Sequence, residues 1–157
     1  MKLDRIDFGI LRELQQDARI ANKDLAVSVG VSASTCLERV RRLVRSGAIR
    51  GYRTIVNPEV LGITVQAMIF VRLVQHAKVS FAELESELLE RREVVSVYLL
   101  TGSQDLLIHV AVRDVSHLRD VLQSLTESGD VAHVETSLVF DFARSKVLPN
   151  YRLNEDE

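Results

Sequence analysis

Residues 32–53 hold six arginines, at positions 39, 41, 42, 45, 50 and 53, against a single acid, Glu38. The segment therefore carries a net charge of +5, while the whole 157-residue chain carries −2. Guanidinium groups at this density neutralise phosphates and form bidentate hydrogen bonds to guanine edges. A merely solvated helix face interleaves both signs, because opposite charges three or four residues apart support one another. The imbalance points to a polyanionic partner.

The elements that must position these arginines follow from apolar spacing. A first helix is expected from about Asp4, which can cap it, to about Gln16, burying Ile6, Ile10, Leu11 and Leu14. A second starts at about Lys23 behind an Asn22 cap, carries Leu25, Ala26 and Val29 on one stripe, and breaks at Gly30. Ser32 caps a third. There Cys36, Val40, Leu43 and Val44 form the core-facing stripe with Leu37 at its edge, and Ser34, Glu38, Arg41, Arg42 and Arg45 project oppositely. Two helices joined by a tight glycine-containing turn, the second with a cationic outer face, match the helix-turn-helix plan in which the second helix enters the major groove. Candidate DNA contacts on it are Ser32, Ser34, Thr35, Glu38, Arg39, Arg41, Arg42 and Arg45. Ser46-Gly47 supplies the stop. Residues 48–57 read equally well as a short strand or hairpin forming a wing, with Arg50, Tyr52 and Arg53 toward phosphates, or as a plain connector.

Past Gly62 the period changes from helix to strand. Ile63, Val65, Ala67, Ile69, Val71 and Leu73 alternate strictly in a strand expected from Ile63 to His76. A helix follows from a Ser80–Glu83 capping box through Phe81, Leu84 and Leu88. Two strands, about Val94 to Leu100 and Leu106 to Val112, flank a turn at Thr101 to Asp105. Asp114 caps a further helix with Val115, Leu118, Leu122 and Leu125, which stops at Gly129, and a last strand runs from about Val131 to Phe142. The order βαββαβ is ferredoxin-like, and the class is α+β: an N-terminal helix-turn-helix, winged-helix-like domain followed by a ferredoxin-like domain. The expected divisions are 1–50 for the first domain, 51–62 for a hairpin or linker, 63–143 for the second domain and 144–157 for a tail.

Helices cover one face of such a sheet, so Met68, Phe70 and Val74, with Tyr98 and Leu100, would leave an apolar patch in water unless a second copy covers it; an obligate dimer is expected. Charge divides the same way. Residues 1–62 hold eleven Lys/Arg against seven Asp/Glu, net +4, and residues 63–157 hold nine against fifteen, net −6. Only the first half suits a polyanion.

The run C-L-E-R-V-R-R-L from Cys36 to Leu43, followed by G-A-I-R-G-Y, resembles the Lrp/AsnC (leucine-responsive regulatory protein) family. The opening L-D-R-I-D-F-G-I-L-R-E-L-Q-Q-D-A-R-I and the later T-G-S-Q-D at Thr101 to Asp105 fit it in order and spacing, so the resemblance spans nearly the whole chain. It implies a sequence-specific transcriptional regulator of double-stranded DNA that assembles into dimers and further into tetramers or octamers. It also implies an amino-acid effector pocket lined by the Leu100–Asp105 loop and the last strand. That makes Leu100, Thr101, Gly102, Ser103, Gln104, Asp105, Thr136 and Ser137 the candidate effector residues, with hydroxyls and amides on the ligand carboxylate and Asp105 on its ammonium. The family often places an acidic and an aromatic residue between this Gly and Asp; Ser103 and Gln104 depart from that.

Other classes find less support. No apolar run reaches the roughly 18 residues of a membrane span. The N-terminus opens directly into a charged amphipathic helix rather than a secretory leader, so a cytoplasmic, nucleoid-associated protein is expected. The single cysteine, Cys36, sits on an apolar stripe and reads as a buried structural thiol. His76, His109, His117 and His133 are scattered without metal-ligand spacing, and Glu83, Glu85, Glu87 and Glu90 fit a solvated helix face. No catalytic or metal-binding residue and no cofactor is therefore expected. The competing readings are a nonspecific architectural DNA-binding protein without an effector and a ferredoxin-like enzyme.

Overall fold

The computed structural model describes residues 2–74, 80–127 and 129–152. It divides into two compact units, Met1–Ile55 with Ala143–Glu157, and Val56–Phe142.

The first unit is built on three helices, α1 (Arg5–Gln16), α2 (Asn22–Ser28) and α3 (Ala33–Arg45). Asp4 caps α1 through a reciprocal box: its carboxylate accepts from the Asp7 N–H at 2.9 Å, and the Asp7 carboxylate accepts from the Asp4 N–H at 3.1 Å. Such caps are worth about 1 kcal/mol. The core closes around Ile10, Leu25, Ala26, Cys36 and Leu43, all essentially inaccessible to water, with Ile6, Leu11, Leu14 and Val40 packed on its margin. Val44 departs from the expected stripe and is 46% exposed. Eight residues on from Cys36 is 800° of helical rotation, so at 3.6 residues per turn Val44 lies about 80° off the stripe. Asn22 is also not the α2 cap. Ala21 holds that position without a side-chain bond, and the Asn22 amide instead donates to the Ala33 carbonyl at 2.8 Å, tying α2 to the start of α3. Gly47 follows α3 with φ +75°, the left-handed conformation its sequence position suggests. Residues 51–57 hold no regular structure, so of the two readings of residues 48–57 the connector holds and the strand or hairpin does not form. They meet no partner strand among the described residues, and Ile55 stands 96% exposed. The segment after residue 143 is not a free tail: the Leu148 N–H donates to the Gln15 side chain at 2.9 Å.

The second unit contains β1 (Val65–Leu73), α4 (Phe81–Glu90), β2 (Val94–Leu99), β3 (Leu106–Val112), α5 (Val115–Thr126) and β4 (Val131–Leu138). The sheet order is β2-β3-β1-β4 and every pairing is antiparallel, the ferredoxin-like arrangement. β1 begins two residues later than expected and ends at Leu73, and His76 lies outside the described residues. β2 stops before Leu100, and β4 stops at Leu138 rather than Phe142. The Ser80–Glu83 box caps α4, and the Asp114 carboxylate caps α5 by accepting from the His117 N–H at 2.8 Å.

Register decides which side chains are buried. Ala67, Ile69 and Val71 stand opposite Val110, Ile108 and Leu106, and together with Leu88, Leu118, Val121 and Leu125 they form the core beneath the two helices. The alternate residues Gln66, Met68 and Phe70 stand opposite Ala111, His109 and Leu107 on the other face. Tyr98, paired with Leu107, extends that face and is 51% exposed. No helix among the described residues is long and apolar enough to cross a membrane.

Candidate nucleic-acid interface and effector loop

The cationic surface is organised by α3. Ser32 caps the helix, its hydroxyl accepting from the Thr35 N–H at 3.2 Å and lying 3.0 and 2.8 Å from the Ser34 and Thr35 hydroxyls. Cys36 and Leu43 anchor the buried side; burial alone raises the Cys36 thiol pKa, which keeps it protonated and unreactive. Ser34, Thr35, Glu38, Arg41 and Arg45 are exposed. Arg41 and Arg45 form no ion pair among the described residues, and neither do Arg50 and Arg53 in the irregular segment beyond, where Tyr52 is half exposed.

Arg39 and Arg42 behave differently. Three residues apart on α3, they turn toward α1. Arg39 Nη1 donates to both Asp4 oxygens at 2.8 and 2.7 Å and to Asp7 Oδ1 at 2.8 Å, while Arg42 Nη2 donates to the two Asp7 oxygens at 2.7 and 2.6 Å. Asp7 is completely buried, and the side chains of Arg39 and Arg42 are 21% and 44% exposed. The Asp7 N–H and the Arg39 guanidinium hold the Asp4 carboxyl below its ordinary pKa, and the bonds to Asp4 and Asp7 raise that of Arg39. Arg42 therefore does not project away from the helical core as the sequence spacing suggests. Asp4 and Asp7 are the site residues that the sequence reading missed in this role, since they stand more than 30 positions before their partners. Their spacing as an N-cap and its third residue was the visible signal, but it spoke only of capping.

The loop between β2 and β3 is held by main-chain bonds. The Leu100 N–H donates to the Asp105 carbonyl at 2.8 Å, and the Asp105 N–H donates to the Val71 carbonyl at 2.9 Å. Asp105 Oδ2 accepts from the Leu73 N–H at 2.8 Å, so one carboxylate oxygen fastens the end of β1. Gly102 has φ +116°, a conformation side-chain-bearing residues rarely adopt, and Thr101, Gly102 and Ser103 are exposed. Gln104 Oε1 is buried with no hydrogen-bond partner among the described residues. Leu100 to Asp105 thus come together in one loop. Thr136 and Ser137 do not join them on one surface: they pair with Ile69 and Met68, so one lies on the helix-covered face and the other on the open face.

The histidines have local structural settings. His109 lies 2.9 Å from Gln66 Oε1, and burial lowers its pKa. His117 Nε2 lies 3.1 Å from Glu93, whose own pKa, though raised by burial, is lowered on balance by bonds from Arg92, its own backbone and His117. Among the described residues no group of three or more His, Cys, Asp or Glu is placed to hold a metal ion.

A helix-turn-helix unit with an outward cationic helix, joined in one chain to a ferredoxin-like unit with a glycine-bearing loop, defines a two-domain regulator. Comparison with known proteins makes this specific. The family described as winged helix-turn-helix DNA-binding matches residues 3–50, and the Lrp/AsnC ligand binding domain matches residues 66–147. The chain is 42% identical over 144 residues to the HTH-type transcriptional regulator AldR of Mycobacterium tuberculosis, covering 91% of this chain and 80% of that protein. It is 39% identical over 120 residues to the leucine-responsive regulatory protein of Escherichia coli, covering 76% and 73% respectively. A crystal structure of a Neisseria meningitidis transcriptional regulator in complex with L-Met superposes with a TM-score of 0.86 at 29% identity, over 97% of this chain and all of that one. The chain belongs to the Lrp/AsnC family of transcriptional regulators.

Proposed function

We propose that this regulator binds operator DNA through the outer face of α3 and that an amino acid bound at the β2–β3 loop modulates its assembly or its DNA affinity. The observation that carries the reading is the pair of guanidiniums, Arg41 and Arg45, that form no ion pair among the described residues and are exposed on α3 beside Ser34 and Glu38. Arg41 and Arg45 reach base edges or phosphates, and Ser32, Ser34, Thr35 and Glu38 add polar contacts at the helix start. Arg50, Tyr52 and Arg53 contact flanking phosphates from the irregular segment.

The loop supports an amino-acid effector on chemical grounds. Exposed main-chain groups and hydroxyls at Thr101 to Ser103 suit a carboxylate, and the unpaired Gln104 carbonyl with the second Asp105 oxygen suits an ammonium. Thr136 and Ser137 take part only where copies meet. The relative solved with L-Met lends the ligand class its support. A homodimer through the face of Met68, Phe70 and Tyr98, assembling further to tetramers or octamers, accounts for the uncovered apolar surface. This reading makes the protein a cytoplasmic, nucleoid-associated regulator without enzymatic activity.

Fluorescence anisotropy of the full chain on the DNA upstream of its own gene, against a shuffled duplex, tests the reading. The expected result is tighter binding to the natural sequence, shifted about 5- to 150-fold by one of the twenty amino acids, the range of ordinary allosteric couplings. Equal affinity for both duplexes and no response to any amino acid would favour an architectural DNA-binding protein instead.

A further inference from the structure

We propose that Asp7 is a positioning residue for DNA recognition: it withholds two cations, Arg39 and Arg42, from the phosphate backbone and, with the buried Cys36 and Leu43, fixes the rotation of α3 about its own axis. The inference rests on the DNA-binding reading above. Asp7 is the buried charged residue of the first unit, and both of its oxygens are occupied by guanidinium donors at 2.6–2.8 Å while Oδ2 also accepts the Asp4 N–H. A buried carboxylate is tolerated only with such full pairing, and removing its partners leaves a costly uncompensated charge. The two arginines are therefore held as strongly as they hold. Asp4, Asp7, Arg39 and Arg42 together sum to zero charge, so the +5 of residues 32–53 overstates what the helix offers to DNA.

The geometry also gives orientation. Arg39 and Arg42 occupy the α1-facing side of α3, and fastening both to one buried carboxylate adds to the hold that the buried Cys36 and Leu43 have on the helix's rotation. Ser34, Glu38, Arg41 and Arg45 are then presented outward. Free guanidiniums at 39 and 42 would add affinity for any phosphate chain without adding sequence information. Asp7 thus trades indiscriminate affinity for selectivity.

The test is Asp7→Asn in the full chain, with the slope of log affinity against log salt measured on operator and on random duplex. Each phosphate neutralised contributes about 0.9 to that slope. The expected result is a slope steeper by about one to two on random DNA, affinity for random DNA raised about 3- to 10-fold at fixed low salt, and a reduced operator-to-random ratio. Weakened binding to both duplexes with an unchanged or shallower slope would overturn the proposal and leave Asp7 a purely structural group. Where Asp7→Asn fails to fold, Arg42→Gln decides, because Asp7 keeps Arg39 and the Asp4 N–H. The proposal expects the wild-type slope, and a slope shallower by about one would overturn it. Failure of the DNA reading itself is seen separately, as wild-type protein that shows no salt-dependent affinity for either duplex.

Discussion

The two units use opposite devices to finish a surface. In the first, three short helices enclose a small core, and the seam between α1 and α3 is closed by two carboxylates and two guanidiniums. The outer face of α3 that remains presents Arg41 and Arg45 beside Ser34 and Glu38. In the second, a broad apolar core lies wholly on one side of the sheet, and the other side presents Met68, Phe70, Leu107 and Tyr98 around a Gln66–His109 hydrogen bond. One surface suits a hydrated polyanion and the other a second apolar face. The contrast shows why the net charge of the chain, −2, says little about its partner: charge and apolar surface are sorted onto separate units.

Adjacent residues of β1 sharpen this contrast most. Ile69 is fully buried under the helices, whereas Phe70 is half-buried on the open face. Ile69→Ala is expected to destabilise the fold by about 2–5 kcal/mol, read by thermal or chemical denaturation. Phe70→Asp is expected to leave the monomer folded and abolish the dimer at micromolar concentration, because it drives an unpaired charge into the proposed sheet contact. An unchanged sedimentation coefficient for Phe70→Asp would place the contact elsewhere.

In the first unit the effects are smaller and depend on salt. Arg45→Gln is expected to lower operator affinity about 3- to 10-fold near 0.1 M salt and to reduce the salt slope by about one, with no change in sedimentation. An unaltered slope would remove Arg45 from the interface.

The smallest effect belongs to His109. Burial lowers its pKa from 6.5, so the unfolded chain binds a proton more readily than the folded one. Stability is therefore full above about pH 6.5 and declines as pH falls below that value, and His109→Gln should flatten the decline. Melting temperatures measured from pH 7.5 to 5.5 check this. Equal pH dependence in both proteins would assign the proton to another group.

Much of the fold was legible in the sequence because its signals are local. Strand β3, an apolar run that starts after a glycine-containing turn, has its expected limits at Leu106 and Val112. Asp4, Ser32, Ser80 and Asp114 cap the helices that follow them because each places an oxygen within reach of N–H groups that have no other helical partner. What stayed hidden depends on residues far apart in the chain. A charge count that begins at residue 32 cannot register Asp4 and Asp7, and an acid in the first turn of a helix ordinarily faces water. Tyr52, Thr54, Ile55 and Val56 are strand-favouring residue types, yet such residues form a strand only when a neighbour supplies the ladder. Asn22 has the chemistry of a cap, but the Ala33 carbonyl engages its amide. At the β2–β3 loop the sequence indicated the turn and not the use of Asp105: its bond to the Leu73 N–H depends on β1 lying beside β3.

Hydroxyl-radical footprinting of the full chain on a selected operator is the most direct measure of a paired regulator that reads DNA through α3. Two protected half-sites related by two-fold symmetry are expected, their centres about 10–10.5 base pairs apart or a multiple of that spacing, as two symmetry-related recognition helices require. A single unpaired patch of protection, or uniform protection indifferent to sequence, would contradict it.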